Sequence, residues 1–387
     1  MNNTHPHGFK GKSSWPDPKL VTECAKPNRK DQGNNTPAHE FLDSEEVLEE
    51  KMEMIAQLIR QSKCTVAYTG AGLSKASGIP DYATKAANSV VKAPKIKSSL
   101  DAQPTFAHFA LCTLEKAGLL HHWVQQNHDG LPQKAGFPQQ KINEIHGAWF
   151  DPSNPVVQFS GSLRGDLFDW MEKMEKKTDL CLCLGTSLSG MNADRMANTP
   201  AEKSLERNPR ALGTVIINIQ KTPLDDQCCI RVWATLDQAF TILAKKLNIE
   251  INPAPLPEPT ENVFQVPYNA KGQKDDSCLM TWDLTLGAQV KIAVKGAMNE
   301  GVKGTIARKR DGHWSVELEE SDGVCRRLLG SWWADAAVKG LVPQLPIVNM
   351  NPKVVNIIDD DMEVEKKPNN NNNSGTKKPV KKKPGQK

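Results

Sequence analysis

The segment Thr69-Gly70-Ala71-Gly72-Leu73-Ser74 bears most directly on chemistry. Two glycines directly after an apolar run let backbone N–H groups approach a pyrophosphate, and a helix N-terminus beyond them would add its positive end. The spacing departs from G-x-G-x-x-G, and a Gly-Ala-Gly turn also serves proteins without a ligand, so both readings stand at this point. A second group, Arg326, Arg327, Trp332 and Trp333, suits an aromatic and basic recognition surface; alternatively the tryptophans pack a core. The nine cysteines form no C-x-x-C, and Ala148 to Leu180 holds neither Cys nor His, which predicts no structural metal site there. Scattered thiols, several within apolar runs, predict free cysteines in a reducing compartment.

The elements that must position these groups alternate in type. From Asp43, DSEEVLEEKMEMIAQLIRQSK predicts an amphipathic helix capped by Asp43 with Glu46 reaching back, and Leu48, Met52, Ile55 and Ile59 on one face. Cys64–Ala71 is predicted as a buried strand entering the glycine turn, and Thr105–Leu120 as a helix with Gly118 near its end. Leu180–Leu184 and Thr214–Ile219 are continuous apolar runs of the kind buried parallel strands require. A last helix is predicted over Leu236–Leu247. The class is therefore α/β, a Rossmann-type parallel sheet with flanking helices and ligands at the carboxyl ends of its strands. Beyond a proline-rich connector, short segments of alternating polarity predict a small all-β, SH3-like barrel. The expected organisation is a tail over 1–42, the α/β domain over 43–250, the connector over 251–278, the barrel over 279–345, and an acidic then lysine-rich tail over 346–387.

At 387 residues with a net charge of +4, two folded units and polar ends are expected, and the mild charge alone does not argue for nucleic acid. No apolar run approaches the ~18 residues of a membrane helix, and no secretory h-region precedes the first helix. The stretch KKPVKKKPGQK reads either as a solubilising tail or as a nuclear-import or polyanion-binding patch.

Further blocks follow the glycine turn in order: Gly78-Ile79-Pro80-Asp81-Tyr82, Gln126-Asn127-His128-Asp129-Gly130-Leu131, Glu144-Ile145-His146-Gly147, Gly185-Thr186-Ser187-Leu188 and Ile217-Asn218-Ile219-Gln220. This ordered set, spread over some two hundred residues, resembles the sirtuin family. The linking segments PTFAHFALCTLEKAGLL and AGFPQQKINEIHG look most like its nuclear class IV branch.

The resemblance implies an NAD-dependent protein-lysine deacylase. Nicotinamide is displaced by an acyl-lysine carbonyl, and free lysine and O-acyl-ADP-ribose are the products. It implies His146 as general base, with Asn127 and Asp129 at the nicotinamide-side ribose. Gly72, Ser74, Gly185 and Ser187 would line the phosphates and ribose, Asp81 would lie near the carboxamide, and Gly70, Ala71, Tyr82, Gln126 and Thr186 would also bind the cofactor. Asn218 and Gln220 would stand on the adenosine side and Leu236 against the adenine. It further implies an acyl-lysine protein partner, histone tails among the candidates, no membrane, and a nuclear location.

The chain departs from the family in five respects. The two cysteine pairs of the zinc module are missing and the whole insert is short. Ala83 stands where family members carry arginine after the Asp-Tyr pair, His128 where a small aliphatic residue is usual, and Pro132 where a histidine follows Asp-Gly-Leu. The peptide-binding segment survives only as a loose echo near Gln158–Leu163. Two other functions on the same pocket therefore remain in view: a catalytically impaired NAD- or ADP-ribose-binding scaffold, and an NAD hydrolase or mono-ADP-ribosyltransferase.

Overall fold

A computed structural model describes residues 6–158, 161–253, 259–321 and 323–357. Six strands form the central sheet: β1 (Thr65–Thr69), β2 (His122–Gln125), β3 (Ile142–Glu144), β4 (Leu180–Leu184), β5 (Gly213–Ile217) and β6 (Ile230–Val232). Their order is 3-2-1-4-5-6 and every pairing is parallel. β1, β4 and β5 are buried along their whole length, which is why their sequences are apolar runs and not alternations. Helices α1 (Glu45–Gln61), α2 (Phe106–Lys116) and α5 (Leu236–Leu247) bury Met52, Leu111 and Phe240 on one face. Helices α3 (Gly165–Lys177) and α4 (Arg195–Leu205) bury Met171 and Met196 on the other. The strand order reverses between β1 and β4, so their carboxyl ends open a crevice there.

Residues 6–42 are not a tail. Phe9 and Lys10 donate backbone N–H bonds to the Cys228 and Cys229 carbonyls at 3.1 and 2.9 Å, and Arg231 donates to His7 at 2.9 Å. The segment thus pairs with the open edge of the sheet beside β6. Beyond it, Lys19–Thr22 pairs with Glu40–Leu42, and Pro27–Arg29 with Asn34–Pro37. Backbone pairing and the burial of Trp15 and Ala38, not an apolar pattern, hold this stretch. The cap of α1 also lies one residue later than expected: Ser44 accepts from Val47 N at 3.4 Å. The Asp43 side chain is instead wholly buried, with both oxygens 2.7 Å from Lys51 Nζ.

The C-terminal unit contains two antiparallel sheets. One joins β7 (Val263–Val266), β8 (Cys278–Asp283) and β14 (Lys353–Asn356). The other runs β12 (Gly323–Leu329), β11 (His313–Glu320), β10 (Lys303–Arg310), β9 (Gln289–Ile292), β13 (Ile347–Asn349). The unit therefore starts inside the expected connector and ends beyond 345. Nor is it all β, because α6 (Trp332–Val338) follows β12. Trp332 and Trp333 are 7% and 6% exposed, so they pack the core and form no recognition surface. The lysine-rich end, 377–387, lies outside the described residues.

Between Gly147 and α3 the described residues form no strand. The loop is fixed by the C-terminal unit: the Phe150 ring stands 5.4 Å from Trp332 and 4.7 Å from His313. The Phe150 carbonyl accepts from Gly330 N at 3.0 Å, and Asn299 Nδ2 donates to the Pro152 carbonyl at 2.9 Å. Removing the ring, as in Phe150→Ala, is expected to lower unfolding free energy by about 3–5 kcal/mol in urea titration; a loss below about 1 kcal/mol would show that the loop does not depend on this contact.

Candidate active site

The glycine turn leaves β1 as two short 3-10 turns, Ala71–Leu73 and Lys75–Ser77, with no long helix behind it. Its glycines are required by a second loop. Gly72 N donates to the Gly185 carbonyl at 2.9 Å, and a Cβ on Gly72 would sit 2.7 Å from that oxygen. A Cβ on Gly70 would stand 2.9 Å from Thr186 Cα, and Gly185 itself has φ +57°. The ends of β1 and β4 can come this close only without side chains, and together they floor a cleft of about 690 Å³, part of it open solvent.

Twelve of the sequence-predicted residues line this cleft. Gly70, Ala71, Gly72, Gly185, Thr186 and Ser187 form the floor, and Asp81, Tyr82 and Gln126 one wall. Asn218, Gln220 and Leu236 form the far end. Gln126 Nε2 donates to Thr186 Oγ1 at 2.9 Å, and Asn218 Nδ2 to the Thr186 carbonyl at 3.0 Å. Gln220 is buried, and its amide donates to the Ala83 carbonyl at 3.3 Å. Asp81 accepts from Thr84 N at 2.7 Å and from its hydroxyl at 2.8 Å, while Tyr82 is 70% exposed.

Ser74, Asn127, Asp129 and His146 do not line the cleft; they form a second group at the ends of β2 and β3. Asn127 Nδ2 donates to the Gly70 carbonyl and to Ser74 Oγ, both at 3.1 Å. Ser74 Oγ donates in turn to Asp129 Oδ2 at 2.6 Å, and Asp129 Oδ1 accepts from Leu131 N at 3.0 Å. Burial raises the Asp129 carboxyl against these hydrogen bonds. Chiefly through burial, then through the His128 charge, the His146 imidazole is pulled down to about 4. A hydrogen bond to the Gln126 backbone opposes this and links the ring to a cleft residue. His146 Nε2 is buried without a hydrogen-bond partner among the described residues. His128 turns away, with Nδ1 2.9 Å from the Gly147 carbonyl.

Sequence reasoning missed several groups here. Arg29 and Lys75 both line the cleft. Arg29 carried no signal because its segment read as a tail, whereas Lys75 followed the recognised serine. Behind His146, the wholly buried Glu144 is raised well above the ordinary carboxylate range by burial and by the nearby Asp151 and Asp129. Among the described residues no cluster of three His, Cys, Asp or Glu could hold a metal.

No family model matches the chain. An NAD-dependent protein deacetylase of Arabidopsis thaliana, SRT1, is 33% identical over 256 residues, 55% of this chain and 53% of its own length. The Oryza sativa subsp. indica SRT1 is 30% identical, over 58% of this chain and 54% of its own. The Homo sapiens NAD-dependent protein deacetylase sirtuin-7 is 28% identical, over 60% and 68%. The chain thus spans about half the length of the plant relatives. A solved Sir2–p53 peptide–NAD⁺ complex aligns over 51% of this chain and 99% of its own, at 23% identity and a TM-score of 0.43. Its ordered blocks gather at the switch point of a 3-2-1-4-5-6 sheet, and over somewhat more than half of its length the chain is similar to the deacetylases named SRT1 and sirtuin-7.

Proposed function

We propose that the protein is an NAD-dependent protein-lysine deacylase. The observation that carries this reading is the junction of two groups: a side-chain-free cradle at the β1–β4 switch point, and the Ser74–Asn127–Asp129 relay beside His146. NAD fits that cradle because the glycine Cβ positions, which a side chain would fill, leave backbone exposed beside hydroxyls and a buried, unpaired imidazole nitrogen. When bound, NAD supplies an electrophilic ribose carbon and a nicotinamide leaving group. The chain would hold the diphosphate on Gly70–Gly72 and Gly185–Ser187 and the adenosine on Asn218, Gln220 and Leu236. Asn127 and Asp129, locked through Ser74, orient the ribose, and His146 Nε2 takes a proton.

The acyl-lysine enters as part of a protein chain, a histone tail being one candidate. We further propose a nuclear location, nucleic-acid contact through the lysine-rich end, and an SH3-like barrel for the C-terminal unit. The scaffold reading draws on one observation: Ala83 lines the cleft and brings no charge to it. The deciding experiment follows nicotinamide release from NAD with and without acetyl-lysine peptides. Peptide-dependent release supports the deacylase. Release without peptide supports hydrolysis or ADP-ribosyl transfer, and binding without release supports the scaffold.

The depressed imidazole fixes the expected pH profile. With its pKa at about 4, His146 is neutral and able to accept a proton throughout the neutral range. In that case kcat/KM stays flat from roughly pH 6 to 8 and falls only toward more acid values. An acid limb centred near ~6.5, the ordinary imidazole value, would contradict the burial of this ring.

A further inference from the structure

Among the residues lining the cleft, Arg29 comes from the N-terminal segment and occupies the last position of the strand Pro27–Arg29. Its side chain is only 15% exposed and is held on three sides. Asp31 accepts from Nε at 3.0 Å and from Nη2 at 2.8 Å. The guanidinium carbon lies 5.5 Å from the centre of the Tyr82 ring. Nη1 points to Ser187 Oγ at 3.4 Å, a long contact made to a hydroxyl of the cleft floor.

Charge in the cleft is otherwise nearly balanced. Lys75, the other cation of the lining, stands 3.8 Å from Asp81, which also lines it. Ala83 contributes none. A diphosphate carries two negative charges, and glycine N–H dipoles meet them only in part. A guanidinium presents five donors in a planar fork; here Asp31 occupies one edge and Nη1 remains directed into the cleft.

Resting on the NAD reading above, we infer that Arg29 is a ligand of the dinucleotide's diphosphate and that Asp31 is the positioning residue that aims it. The N-terminal segment is then part of the nucleotide site, so sequence before the first helix sets cofactor affinity. Charge-assisted hydrogen bonds of this kind correspond to roughly 10- to 100-fold in affinity.

Calorimetric titration of the full chain with ADP-ribose and with adenosine tests this, alongside a thermal melt of each variant. Arg29→Ala is expected to weaken ADP-ribose about 10- to 100-fold and to leave adenosine unchanged, with Arg29→Lys recovering part of the loss. Arg29→Gln keeps a polar, hydrogen-bonding side chain without the charge, and serves if the alanine variant melts early; it is expected to lose ADP-ribose selectively too. Equal ADP-ribose affinity in the variants, or equal losses for both ligands, overturns the role of Arg29 alone. A wild-type chain that binds neither ligand overturns the NAD reading and this inference together.

Discussion

Replacing His146 with alanine is expected to reduce peptide-dependent nicotinamide release on the order of 10²- to 10⁴-fold, while ADP-ribose affinity changes by no more than a few-fold. The asymmetry follows from where the residue sits. His146 lies just past β3, outside the cleft that would bind the dinucleotide, so its loss removes a proton acceptor but little binding surface. Its backbone is fixed independently of the ring: Val157 N donates to its carbonyl at 3.0 Å. Gly147 beside it has φ +96°, and a Cβ there would meet the Pro155 carbonyl oxygen and Val156 Cα at 2.5 Å. Parallel losses in kcat and in ADP-ribose binding would mean that the imidazole holds the pocket open and does not transfer a proton. Retention of more than about a tenth of wild-type release would remove it from the mechanism.

The second large effect concerns stability. Asp43→Ala is expected to destabilise the protein by about 3–5 kcal/mol in urea titration, whereas the paired change Asp43→Leu with Lys51→Met is expected to cost far less or to stabilise. Both side chains are wholly buried, and Asp43 also accepts from Trp233 N at 2.9 Å. Burial outweighs the attraction of Asp43 and pulls the Lys51 ammonium down to about 8. Removing the carboxylate alone leaves a buried ammonium without the carboxylate that both of its hydrogen bonds reach. A single-mutant loss near that of an exposed pair, below about 1 kcal/mol, would refute the buried pairing.

Much of the sheet was legible because burial on both faces writes itself as apolar runs. LCLCL marks β4 to the residue, and the helix predicted over Leu236–Leu247 has those bounds in the structure. The glycine turn was legible as a candidate cradle, but its partner, the Gly185 carbonyl, is a contact across more than a hundred residues that no local pattern encodes. The N-terminal segment was misread for a related reason. Its polar residues join the fold through backbone bonds to Cys228 and Cys229, and backbone bonding leaves no hydrophobic periodicity. Arg29 was invisible for that reason as well. In the C-terminal unit, SWWADAAV carries two large aromatics that suit a strand, yet Ala334, Ala336 and Ala337 favour the helix the structure forms.

Phe150 gives the chain one further property, visible on heating or cutting. The ring belongs to the loop that follows His146-Gly147 but completes an apolar core made mostly by residues after 260. Neither half can open without exposing surface that the other covers, so the two are coupled in a single cooperative unfolding unit. A fragment trimmed at the proline-rich connector would contain every block named in the dinucleotide site. It would still lack the wall against which the loop after His146 is set.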